Sequence, residues 1–269
     1  TLNAQQFTSD GVEFGFYGVP VVSGLWPRAG PSEGETVVTV SGGDLGGGSD
    51  YRCRFDACGA CASEWSCGAC VVNGTFVGSD GGAGSVRCET PPLAGWSSDG
   101  ARVVSVAVSL NSQQYTQGEA GLNLSFSYYE TPVLSSVSPS LGPLEGWTRL
   151  VVNGSALGGA GSALQCRFNS TLVNGTFVGS YGVSGGVVCA AAPSGVAGVA
   201  SVQLTLNGVQ FGGSSAEYTY YEAPRVSSLA PAVGPTAGGT VVAVSGFGLS
   251  GGAGGGAEYQ CRFGNVTAG

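Results

Sequence analysis

The sequence contains no histidine, no lysine, no methionine and no isoleucine. Without histidine it lacks the commonest general base and metal ligand. Without lysine it can form no Schiff base and cannot complete a phosphate-binding P-loop. All nine basic residues are therefore arginines, set against seventeen carboxylates for a net charge of −8. Binding a polyanion needs a basic stripe that displaces counterions, and no such stripe is present, so nucleic acid is not an expected partner. No apolar run reaches the roughly 18 residues of a membrane span, and the opening residues do not read as a secretory leader. With no methionine at all, the segment is expected to belong to a longer chain. These absences predict a protein that is not an enzyme and carries no cofactor and no metal.

What is present is repetition. The 269 residues include 50 glycines, without the three-residue period of collagen. With 42% hydrophobic residues the chain can build a core. Pro-Val-Leu-Ser-Ser-Val-Ser-Pro at 132–139 recurs as Pro-Arg-Val-Ser-Ser-Leu-Ala-Pro at 224–231, with a weaker copy at 20–27. Each copy leads to a Gly-Pro, a Gly-x-Thr and a valine-rich run, then a glycine-rich stretch and Cys-Arg-Phe at 53–55, 166–168 and 261–263. Val-Asn-Gly-Thr-Phe-Val-Gly-Ser stands verbatim at 72–79 and 173–180. Ser109-Leu-Asn-Ser-Gln-Gln-Tyr115 matches Thr205-Leu-Asn-Gly-Val-Gln-Phe211, and the first seven residues match both. Spacings of 112 and 92 residues between the leading prolines, Pro20, Pro132 and Pro224, suit whole domains in tandem rather than solenoid repeats.

The expected boundaries are 1–18 for the closing strand region of a preceding domain, 19–130 and 131–222 for two complete domains, and 223–269 for the first part of another. Periodicity within a unit is that of strands. Val202, Leu204 and Leu206 alternate with Gln203, Thr205 and Asn207. Val104, Val106, Val108 and Leu110 alternate with Ser105, Ala107 and Ser109, and no helical period is sustained. Short strands between Gly, Pro and Asn turns predict an all-β antiparallel sandwich. Proline at each junction, with no flexible spacer, predicts domains that abut as a semi-rigid rod.

The order Pro-x-Val-x-x-Val-x-Pro, Gly-Pro, Gly-Gly-Thr, Val-x-Val-x-Gly, Cys-Arg-Phe, Cys-x-x-x-Pro and a closing Tyr-rich strand resembles the IPT/TIG domain. That is an immunoglobulin-like module of plexins, fibrocystin and Rel-type transcription factors. The resemblance covers nearly the whole chain and implies tandem immunoglobulin-like β-sandwiches. It does not specify one function, since such modules serve adhesion, signalling, enzymes and DNA binding alike. Two positions depart from the Gly-Gly-Thr pattern, Glu35 in the first unit and Trp147 in the second.

Cys53 and Cys88 occupy positions that correspond to Cys166 and Cys189, so one intradomain disulfide is expected in each complete unit. Cys261 would be half of a third pair whose partner lies beyond Gly269, which accounts for the odd total of nine. Cys58, Cys61, Cys67 and Cys70 fall in an insertion at about 56–71 that the second unit lacks. Their C-x2-C-x5-C-x2-C spacing admits a zinc site or two disulfides. Zinc ribbons separate their knuckles by roughly 15–20 residues, so two disulfides stapling a surface loop is the favoured reading. No βαβ pattern supports redox catalysis there. Six Asn-x-Ser/Thr acceptors, at Asn73, Asn123, Asn153, Asn169, Asn174 and Asn265, point to N-linked glycans and a secretory route.

Other constellations read as structural. The glycine runs at 46–48, 158–159 and 251–256 lack the Lys of a phosphate loop and are expected to be flexible hairpin loops. Glu33 and Glu35 read as solvated turn charges. Glu130 and Glu222 recur at the junctions, where a bridging calcium would need oxygen ligands, but no Asp-rich loop supports one. Trp26, Trp96 and Trp147 are candidate interface aromatics, while Trp65 is expected to fill the insertion. The expected function is a structural and interaction segment of a secreted or cell-surface glycoprotein. On sequence grounds an extracellular filament, ciliary or cell coat comes first, and the stalk of a plexin- or fibrocystin-like receptor second. Its partners would be other domains of the same chain and other extracellular proteins.

Overall fold

A computed structural model describes residues 9–56, 71–78, 84–93, 102–116, 124–158, 163–179, 185–249 and 259–268. The chain falls into two compact units, Thr1–Tyr129 and Glu130–Gly269. The first contains β1 (Val21–Trp26), β2 (Ala29–Pro31), β3 (Val37–Gly43), β4 (Arg52–Phe55), β5 (Val71–Val77), β6 (Gly84–Glu89), β7 (Arg102–Ser109) and β8 (Ser125–Tyr129). The second begins with β9 (Val133–Ser138), β10 (Leu141–Pro143), β11 (Arg149–Ser155), β12 (Gln165–Phe168), β13 (Thr171–Val178), β14 (Gly186–Ala190), β15 (Gly198–Thr205) and β16 (Ala216–Tyr221). It continues with two hairpin-like pairs, β17 (Arg225–Ala230) with β18 (Ala243–Phe247), and β19 (Cys261–Phe263) with β20 (Val266–Ala268).

Strand order is the same in both units. It runs β1-β3-β6-β5-β4-β7-β8-β2 in the first and β9-β11-β14-β13-β12-β15-β16-β10 in the second. The repeated octapeptide explains how eight strands make two layers. Arg54, Cys53 and Arg52 of β4 pair with Val71, Val72 and Asn73 of β5. From Gly74 onward β5 pairs with β6 instead. β5 thus leaves one sheet and joins the other at a glycine, and β13 does the same at Gly175. This is the sheet-switching corner of an immunoglobulin-like sandwich.

Alternation buries one face of each strand. Val38 and Val40 of β3, Val86 of β6 and Phe126 of β8 are fully enclosed. Phe126 meets Phe55 edge-on at 6.1 Å and Tyr128 at 5.0 Å. The second unit repeats this stack with Phe168, Tyr218 and Tyr220. Edge-to-face pairs of this kind add about 1 kcal/mol each beyond the area they bury. The Tyr128 hydroxyl donates to the Pro91 carbonyl at 2.8 Å, and that of Tyr220 to Ala192 at 2.6 Å. Burial raises the pKa of both phenols, that of Tyr220 to about 12. Both therefore stay protonated and keep donating far above neutrality.

At the ends of β7 and β15 the structure departs from simple alternation. Ser109 and Thr205 are as buried as the valines before them. The segment after β7 folds back over its outer face, with Thr116 and Val108 exchanging hydrogen bonds. Both faces are covered, so a period of two no longer separates inside from outside.

The Gly-x-Thr turn is left-handed at two consecutive residues in every copy. Gly34, Gly146 and Gly238 have φ of 86°, 78° and 79°; Glu35, Trp147 and Gly239 have 59°, 64° and 80°. The residues that replace the second glycine therefore adopt its conformation rather than change the turn, at a cost of about 1–2 kcal/mol. The same hydrogen bond holds them: Glu35 N–H to Thr90 O at 2.9 Å, Trp147 N–H to Ala191 O at 2.8 Å. Matching cis bonds precede Pro27, Pro139 and Pro231.

The glycine run at 46–48 is not a hairpin loop. β3 pairs with β1 and β6, whereas β4 pairs with β5 and β7, so the run crosses between sheets. It is packed down: Leu45 is fully buried, Gly48 N–H donates to the Tyr51 hydroxyl, and a Cβ on Gly48 would lie 2.5 Å from the Leu110 carbonyl. The run at 251–256 and residue 159 lie outside the described residues.

Candidate functional site

The chemistry that the sequence concentrates is sulfur. Cys53 on β4 is bonded to Cys88 on β6, with Cα atoms 6.3 Å apart. Cys166 on β12 is bonded to Cys189 on β14, at 6.4 Å. All four are buried. β4 and β6 are not neighbours, because β5 runs between them, so each cystine pins the two sheets together across the switching strand. A Cβ on Gly74 would lie 3.2 Å from the Cys88 Sγ, and one on Gly175 equally close to that of Cys189. The glycine of the octapeptide leaves room for the cystine beside it. Cys261 is exposed and is bonded to no other cysteine among the described residues. Cys58, Cys61, Cys67 and Cys70 lie outside the described residues.

The insertion has a definite address. In the second unit β12 and β13 join through the two-residue turn Asn169-Ser170. Asp56 occupies the place of Asn169: its N–H donates to Ser105 O, as that of Asn169 donates to Ser201 O. The chain therefore leaves β4 and returns in β5 at the place where the second unit has its two-residue turn. Long insertions at such a turn close at little entropic cost and leave the sheets intact.

The sequence reading missed why Cys-Arg-Phe and Leu-Asn-x-x-Gln-Tyr/Phe recur together. The Arg54 guanidinium sits over the Tyr115 ring at 4.7 Å and that of Arg167 over Phe211 at 3.8 Å. The asparagine of the second motif builds the turn that presents the ring. Asn207 Oδ1 accepts from the N–H groups of Val209 and Gln210 at 3.0 and 2.9 Å, and Asn111 does so for Gln113 and Gln114. Co-recurrence of the two motifs was the available signal.

Of the sequons, Asn73, Asn169, Asn174 and Asn265 are exposed and Asn153 is half-buried. Asn123 lies outside the described residues. Trp26 and Trp147 are exposed by 62% and 79%; Trp65 and Trp96 lie outside the described residues. Glu33, Glu35, Glu130 and Glu222 are all exposed. A cleft of about 400 Å³ is lined by Leu144, Glu145, Glu222, Arg225 and Phe247, among others. Among the described residues no three His, Cys, Asp or Glu side chains are grouped so as to hold a metal ion. The described residues include no helix long and apolar enough to cross a membrane.

A family model of the IPT/TIG domain matches residues 20–128 and, again, 132–220. The chain belongs to the IPT/TIG family. It is 36% identical to Plexin-B1 of Homo sapiens over 121 residues, which are 43% of this chain and 5% of Plexin-B1. Among solved structures, the full extracellular region of plexin A4 is similar over 92% of this chain and 19% of its own, at 17% identity and a TM-score of 0.47. Invasin, a bacterial integrin-binding protein, is similar over 78% of this chain and 43% of its own, at 8% identity and a TM-score of 0.27. The IPT/TIG chain thus spans a small part of the plexins and under half of invasin.

Proposed function

We propose that this IPT/TIG segment belongs to the extracellular part of a cell-surface or secreted glycoprotein, where it acts as a non-catalytic spacing and interaction segment. The observation that carries the reading is the buried cystine that pins the two sheets in both complete modules. Cystines of this kind form and persist in oxidising compartments. The six sequons and the sequence identity with Plexin-B1 support the same location. The plexin likeness favours the stalk of a receptor ectodomain over a filament, ciliary or cell coat. Partners would be neighbouring domains of the same chain and extracellular proteins, with exposed Trp26 and Trp147 as contact candidates.

Residues 9–18 fit the closing strand of a further module, and 223–269 the opening strands of another. Val12, Phe14 and Phe16 stand at the positions of Leu124, Phe126 and Tyr128 relative to the following proline. The Phe14–Phe16 rings meet at 5.0 Å and 73°, like Phe126–Tyr128 at 5.0 Å and 77°. An antibody against residues 131–222 should label intact cells that express the native protein or detect the protein in their medium. Labelling that appears only after permeabilisation, with no protein in the medium, would contradict the extracellular reading.

A further inference from the structure

The six sequons are not equivalent in the fold, and the difference lies in which atom of the amide is occupied. N-glycosylation joins the Asn Nδ2 to the anomeric carbon of an oligosaccharide carried on a lipid diphosphate. The N–C bond forms as the sugar–phosphate C–O bond breaks, Nδ2 gives up one proton, and the lipid diphosphate leaves. The product keeps a carbonyl Oδ1 and one Nδ2–H. A folded site accommodates the glycan without loss when Oδ1 carries the native hydrogen bond and Nδ2 faces water.

Asn73 and Asn169 meet that condition, and Asn174 repeats the placement of Asn73 in the octapeptide. Asn73 Oδ1 accepts from the Arg52 guanidinium, which is held by the Asp50 carboxylate at 2.8 Å. Asn174, at the same place in the repeated octapeptide, has Oδ1 facing the Gln165 Nε2 at 3.3 Å. Arg52 and Gln165 stand directly opposite these asparagines in register, so two different donors perform one task. Asn169 Oδ1 accepts from the Ser201 N–H at 3.0 Å, at the hairpin tip. A guanidinium and a peptide N–H only donate, which fixes the amide orientation at Asn73 and Asn169. Among the described residues the Nδ2 of Asn73, Asn169 and Asn174 donates to nothing.

Asn153 is the reverse case. It is half-buried on β11, between β9 and β14, and its Nδ2 donates to the Ser136 hydroxyl at 3.4 Å. Only the three-residue β10 separates β9 from β11, and Ser136 and Asn153 are 17 residues apart, so this pairing closes a short loop. Pairing them sets the Asn153 amide against the Ser136 hydroxyl on a half-buried strand face.

We propose that Asn73, Asn169 and Asn174 carry N-glycans and that Asn153 does not. This rests on the extracellular reading above. The test takes the full-length protein from its native source, removes glycans enzymatically in ¹⁸O-water and locates the resulting labelled aspartates by peptide mass spectrometry. Free thiols are alkylated beforehand. Label at Asn73, Asn169 and Asn174 with none at Asn153 is the expected result. Label at Asn153 equal to that at Asn174, or unlabelled Asn73 and Asn169 in material whose Cys166–Cys189 bond is intact, overturns the assignment and leaves the extracellular reading standing. No label anywhere, together with alkylated Cys166 and Cys189, overturns both.

Discussion

Replacing Cys166 and Cys189 together by alanine should destabilise the second module by about 3–4 kcal/mol. The bond joins residues 23 apart in sequence and so removes much of the freedom that the unfolded chain would otherwise have. The corresponding bond in the first module spans 35 residues and should be worth slightly more, because loop-closure entropy grows slowly with length. Both sulfurs are buried against the sheets, so the substitution also leaves space that the core must fill. In urea unfolding of the whole chain, the transition of the second module should move down by roughly 2 M, at a slope typical of small domains. The transition of the first module should stay where it is. An unchanged midpoint would mean that the cystine contributes little to holding the sheets together.

Gly42→Ala should cost about 3 kcal/mol, whereas Gly43→Ala, one residue further along the same strand, should cost less than about 0.5 kcal/mol. The register of β1 on β3 slips by one residue between Val22 and Gly24, and this bulge drives the Val21 carbonyl toward β3. A Cβ on Gly42 would overlap that carbonyl oxygen, while one on Gly43 meets nothing within 4 Å. The obstruction is backbone, so no rotamer change relieves it. Gly154 and Gly246 face the carbonyls of Val133 and Arg225 in the same way, at the same bulge. Equal losses from Gly42→Ala and Gly43→Ala, read as denaturation midpoints, would show that the bulge does not impose this contact.

That glycine also shows how far the sequence could be read. The motif Val-x-Val-x-Gly was visible as a repeat, and its valines as a strand face, because alternation reports burial directly. Why the glycine recurs was not visible, since its reason is a carbonyl on a strand about twenty residues earlier. The repeats set the pairing of Cys53 with Cys88 and of Cys166 with Cys189, because one copy carries only two candidate cysteines. The place of the insertion was also within reach. Asp56 and Asn169 each follow Cys-Arg-Phe, and the chain length diverges immediately afterwards. The reading of Gly46–Gly48 as a hairpin loop failed for a physical reason: glycine content speaks of backbone freedom, not of which sheets the flanking strands join. The stacking of Arg54 on Tyr115 was not legible either, because a contact between residues 61 apart in sequence leaves no local period. Glu35 and Trp147 looked like exceptions to a turn rule, yet the turn imposes its left-handed geometry on both.

The Asp50–Arg52–Asn73 chain and the Gln165–Asn174 pair link fold to surface in one step. The strand that switches sheets at Gly74 and Gly175 turns its asparagine outward and its glycine toward the cystine. One eight-residue sequence thereby serves the core on one face and solvent on the other, which is reason enough for it to recur unchanged.

The most direct test of the account is thiol mapping of the native protein. The chain is alkylated on extraction, digested without reduction and analysed by mass spectrometry. Peptides joined through Cys53–Cys88 and through Cys166–Cys189 are the predicted result; quantitative alkylation of all four cysteines in folded native material would contradict it.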